Sequence, residues 1–144
     1  MDSPLNINLI IPFKDNKRAR RNLYRTEIDR FRSELEGRVT ELRGDIEQLF
    51  GSEFELTISS RSDGTTKKFY WRFRSSKRDR KYVRLNANSV VEYFRTLNPD
   101  QVIKLKLVEE ELIYINANLR LLKGMTDAIV QSETEMAGLL GLSL

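Results

Sequence analysis

The apolar residues of this chain change period twice, and that change restricts it to folds that combine helix with sheet. Tyr24, Ile28, Phe31, Leu35, Val39, Leu42, Ile46 and Leu49 recur at steps of three and four residues, a near-heptad seam. From Lys67 to Leu85 the period drops to two: Phe69, Trp71 and Phe73 alternate with Lys68, Tyr70, Arg72 and Arg74. Val83 and Leu85 continue one side of that pattern, and Arg80, Tyr82 and Arg84 the other. Beyond it, Val102, Leu105, Val108, Leu112, Ile115, Leu119 and Leu122 return to helical spacing, and Ile103, Leu107 and Tyr114 read as widening that stripe.

Punctuation marks set the boundaries. Residues 1–13 read as an extended lead-in ended by Pro12. A long helix is expected over 15–50, weakened at Gly37 and Gly44 and stopped at Gly51. Three strands are expected at 53–59, 67–74 and 81–85, with turns at Asp63-Gly64 and at 75–79. Ser89 and Glu92 read as a capping box for a short helix over 88–97 that buries Val90, Val91 and Phe94. Asn98-Pro99-Asp100-Gln101 is a helix start: cap, N1 proline, acid, and Gln at N3. The helix beyond should run over 99–137, with Gly124 a point where it can break, and the tail from Gly138 reads as weakly structured. The expectation is one α+β domain over 1–144: a long antiparallel helical hairpin with an inserted three-stranded antiparallel β-meander and a short helix.

Composition removes much chemistry. With no Cys and no His, thiol nucleophiles, imidazole bases and the usual zinc and haem sites are excluded. No phosphate-binding glycine loop, GxSxG or SxxK is present. The triplet Glu109, Glu110, Glu111 could suggest an acid/base or metal site, but consecutive helical residues point in different directions. No enzyme, cofactor or metal is expected. No apolar run has the length of a membrane span, and the N-terminus lacks a basic n-region, so a cytoplasmic protein without membrane attachment is expected.

The net charge of +4 is unevenly placed. Residues 61–84 hold ten Lys/Arg against two Asp, and from Asn98 onward seven acids outnumber four bases. A second basic cluster, with Lys17, Arg18, Arg20 and Arg21, stands where the first helix should begin. Cations there oppose the helix dipole, so helix stability does not explain them; a phosphate contact does, and so does a disordered basic arm. On the sheet, Lys68, Arg72, Arg74, Arg80 and Arg84 share one face with Tyr70 and Tyr82. Basic and aromatic residues interleaved on one face suit a phosphate backbone and its bases. The same face also fits a solvated surface or an acidic protein partner, and the tyrosines fit either base stacking or shielding of arginine stems. Trp71 shares the apolar face and reads as core.

The segment Thr65–Leu85 resembles the small three-stranded DNA-binding sheets of phage-integrase arm-type domains, in which an aromatic and basic hairpin enters a groove. The catalytic tyrosine-recombinase domain has no counterpart here. The order of long helix, FYWRF strand, short helix and apolar helix with ELIYINANLRLL is similar to that of uncharacterised small proteins of integrating conjugative elements and plasmids. The resemblance implies a mobile-element origin and carries no residue roles. The expected function is non-enzymatic nucleic-acid binding, DNA ahead of RNA. The competing expectation is a protein-interaction module, an adaptor or a phage- or plasmid-encoded inhibitor. The width of the second apolar stripe predicts a homodimer through the C-terminal helix.

Overall fold

The computed structural model describes residues 17–63, 66–74 and 88–142, without the side chains of 17–21, 63, 88 and 89. The elements run α1 (Lys17–Phe50), β1 (Leu56–Asp63), β2 (Thr66–Phe73), α2 (Asn88–Phe94) and α3 (Pro99–Leu140). The expected lead-in over 1–13 and the expected third strand at 81–85 lie outside the described residues. The described sheet has two strands, not three. Among the described residues, no helix is long and apolar enough to cross a membrane.

Both long helices outlast their glycines. A Cβ at Gly37, Gly44 or Gly124 would meet nothing within 4 Å, so packing does not demand glycine there. Each costs about 1 kcal/mol relative to Ala, and the buried stripes outweigh that. α1 stops where Gly51 takes a φ of +89° and donates its N–H to the Glu47 carbonyl at 2.9 Å. α3 begins on a reciprocal cap. The Asn98 N–H donates to Gln101 Oε1 at 3.1 Å, and the Gln101 N–H donates to Asn98 Oδ1 at 2.8 Å. The expected weak tail is helical as far as Leu140.

The residues form two compact units, one up to Glu34 together with Arg120 onward, the other Leu35 to Leu119. In the first, Ile28, Phe31, Leu122 and Ile129 are buried, and Arg25 pairs with Glu133 at 2.5 Å. In the second, Leu35, Val39, Leu42 and Ile46 of α1 and Leu105, Val108, Leu112, Ile115 and Leu119 of α3 are buried with the sheet residues Leu56, Ile58, Phe69, Trp71 and Phe73. Phe54 precedes the strand. Its ring stacks on Phe50 at 4.6 Å and tilts against Tyr93 of α2 at 5.7 Å. Val90 is buried beneath α2, whereas Val91 is exposed and Phe94 half-exposed. Leu49 is also exposed, one turn past the place where the α1 stripe is covered.

The hairpin is antiparallel, with Leu56 opposite Phe73 and Asp63 opposite Thr66. The Arg74 N–H extends the ladder by donating to the Glu55 carbonyl at 2.8 Å. Even-numbered backbone groups of β2 therefore face β1, and odd-numbered ones face outward. Side chains from the helices meet those outward groups. The Phe69 N–H donates to Asn116 Oδ1 at 2.9 Å, and Asn116 Nδ2 donates to the Phe69 carbonyl at 3.0 Å. On the other edge, Arg43 Nε donates to the Ile58 carbonyl at 2.9 Å, and its guanidinium lies 5.9 Å from the Phe69 ring centroid. Asn116 thus satisfies the outward-facing backbone donor and acceptor of Phe69. Replacing Asn116 by Ala leaves a backbone donor and acceptor unpaired. It should cost about 1–3 kcal/mol and speed amide exchange at Phe69, read by urea unfolding and hydrogen exchange.

Candidate nucleic-acid interface

Alternation along the hairpin divides its side chains between two faces. Phe69, Trp71 and Phe73 with Leu56 and Ile58 turn inward. Lys67 shares that parity, and its ammonium reaches Glu36 of α1 at 3.4 Å. The opposite face carries three cross-strand pairs: Arg61 with Lys68, Ser59 with Tyr70, and Thr57 with Arg72. Lys68, Tyr70 and Arg72 are half-buried, and Arg61 is exposed. Arg74 follows on the same side, with Nη1 donating to the Ser52 carbonyl at 3.0 Å. Lys68, Tyr70 and Arg72 are spaced two residues apart, so successive side chains stand about 6.6 Å apart along the strand.

Arg61 and Lys68 stand directly opposite each other in a ladder-bonded pair, which sets their Cα atoms about 5.5 Å apart. Like charges so placed destabilise a hairpin. Arg61 does not stand among the candidates read from the sequence because β1 is expected there to end at Ser59. Beyond that point, Ser60 and Ser62 occupy the inward positions, and the apolar alternation that marks a strand disappears.

Of the other candidates, Arg80, Tyr82 and Arg84 lie outside the described residues. Lys17, Arg18, Arg20 and Arg21 fall in the first turns of α1, and their side chains are not described.

The three glutamates of the acidic triplet on α3 have separate surroundings. Glu109 Oε2 accepts the Trp71 indole N–H at 2.5 Å. Glu110 is exposed. Glu111 takes a two-pronged contact from Arg38, with Nε to Oε2 and Nη2 to Oε1 each at 2.7 Å. The hydrogen bonds from Arg38 hold the Glu111 carboxyl below its ordinary pKa, and those to Glu111 and Glu41 raise that of Arg38. A depressed carboxyl contributes stability above its unfolded pKa and loses it as pH falls through the folded value. Both side chains are more than a third exposed, so solvent screening keeps the contribution small. Glu111→Gln should cost about 0.2–1 kcal/mol near neutral pH, and the difference should vanish below the ordinary carboxylate range. Urea midpoints of parent and variant across acidic pH check this.

No protein-family model matches the chain, and searches of curated proteins and of solved structures return no similar protein.

Proposed function

We propose that the chain is a non-enzymatic nucleic-acid-binding protein that meets the phosphate backbone of DNA with the outer face of the described β1–β2 hairpin. The observation that carries this reading is the like-charge pair of Arg61 and Lys68, continued along β2 by Tyr70, Arg72 and Arg74. A surface that gathers basic side chains around a tyrosine suits a phosphate backbone. A two-stranded ribbon is also an element that the roughly 12 Å major groove of B-DNA admits, whereas the deep, narrow major groove of duplex RNA does not. That contrast favours duplex DNA. The arm-type resemblance suggests an accessory role in DNA transfer or recombination on a mobile element, although the described sheet has two strands where those domains have three.

The reading is tested by anisotropy titrations with duplex DNA, single-stranded DNA and duplex RNA. Duplex DNA should bind tightest. Tyr70→Ala should then cause a small loss, alike for duplex and single strand. A loss of about 1–3 kcal/mol confined to single strands would replace groove binding by a stacking platform. Absence of binding to all three would end the nucleic-acid reading.

A further inference from the structure

α3 has a second apolar face. It is one unbroken helix from Pro99 to Leu140, so the order of its side chains follows from helix periodicity. At about 100° per residue, Ile103, Leu107, Tyr114 and Leu121 fall within an arc of about 40°. The buried stripe through Leu105, Val108, Leu112, Ile115, Leu119 and Leu122 is centred about 130° away. These four residues do not widen the buried stripe. They are 57%, 54%, 62% and 54% exposed, on a separate face of the helix.

We propose that this outer face docks on the same face of a second copy of the chain, with the two α3 helices antiparallel. The seam carries small residues in its C-terminal half, at Ala117, Gly124 and Ala128, and larger ones in its N-terminal half. In heptad terms, Leu107, Tyr114, Leu121 and Ala128 occupy one position, and Ile103, Glu110, Ala117 and Gly124 the other. An antiparallel pair matches the first set against the second. With the two-fold axis between residues 115 and 116, Tyr114 meets the partner's Ala117, Leu107 meets the partner's Gly124, and Ile103 meets the partner's Ala128. A Cβ at Gly124 would find nothing within 4 Å, so there is room for the incoming leucine.

Charge supports the same register. Lys106 comes opposite the partner's Asp127, twice by symmetry, and Asp127 already binds Lys123 of its own helix at 3.1 Å. Glu110, exposed within the seam, meets the partner's Leu121 and lies beside the partner's Arg120, which offsets its charge. A parallel pair would instead set Glu110 against the partner's Glu110, Tyr114 against the partner's Tyr114, and Gly124 against the partner's Gly124. That arrangement joins like charges and leaves a void. This inference is independent of nucleic-acid binding.

The chain has no cysteine, so introduced thiols report the register directly. Leu107→Cys and Gly124→Cys are made singly and together in the full chain. Both sites are exposed, and circular dichroism checks that each variant folds. Residues 107 and 124 lie about 25 Å apart on one helix, beyond the reach of an intrachain disulfide. Under mild oxidation, the double variant should form a covalent dimer of twice 16.9 kDa, and each single variant should remain a monomer on a non-reducing gel. Cross-linking by either single variant alone would overturn the antiparallel register. Failure of the double variant to cross-link, or a unit of 16.9 kDa for the unmodified chain in sedimentation at high micromolar concentration, would overturn the dimer.

Discussion

Replacing Trp71 by Ala should destabilise the fold by about 3–5 kcal/mol. The side chain is 1% exposed, between Phe69 and Phe73 on the inward face of β2, and its indole N–H is bound to Glu109 of α3. Removing it opens a cavity against the helices and takes the indole donor from the half-buried Glu109 carboxylate. Trp71→Phe separates the two effects. It keeps most of the volume and removes the hydrogen bond to a charged acceptor, a loss of about 1.5–3 kcal/mol. Trp71 is the only tryptophan, so unfolding in urea should be followed by far-ultraviolet circular dichroism. A cost below about 1 kcal/mol for the alanine variant would mean that the inward face of the sheet is not anchored on the helices.

Reversing charge at Arg61 and Arg72 together should weaken DNA binding by about 100-fold or more while leaving the fold intact. Hydrogen bonds to charged groups contribute about 1.5–3 kcal/mol each, and about 1.4 kcal/mol corresponds to tenfold in affinity. Stability should move the other way for one of the two. Arg61→Glu sets a carboxylate opposite Lys68, turning a repulsive cross-strand pair into an attractive one worth about 0.2–1 kcal/mol. A gain in urea midpoint together with a loss of affinity cannot come from unfolding. If affinity is unchanged in the double variant, the sheet face is not the binding surface.

The legible parts of the fold were those that repeat. Six of the eight seam residues of α1 are buried as their spacing indicates, and the inward trio of β2 was readable from its alternation with charge. The errors share a cause. Ile103, Leu107 and Tyr114 are three or four residues from other apolar positions, which suggests a broad stripe, but their accumulated rotation about the helix carries them to a separate face. β1 starts and ends later than expected because Phe54, Leu56 and Ile58 alternate smoothly, while Phe54 packs as a pre-strand anchor on Phe50 and Tyr93. Asn116 and Arg43 could not be read at all. Each is a single polar residue on a helix, without periodic signal, and its partner is a backbone group whose position depends on the finished hairpin.

The salt dependence of duplex DNA binding, measured by anisotropy from low to physiological ionic strength, tests the central claim most directly. Each neutralised phosphate adds about 0.9 to the slope of log affinity against log salt. If Arg61, Lys68, Arg72 and Arg74 each meet a phosphate, one sheet should give a slope of about 3.5 in magnitude, and the Arg61→Glu, Arg72→Glu variant should lower it by about 2. Affinity that ignores salt, or a slope that the double variant leaves unchanged, would contradict binding through the basic face of the hairpin.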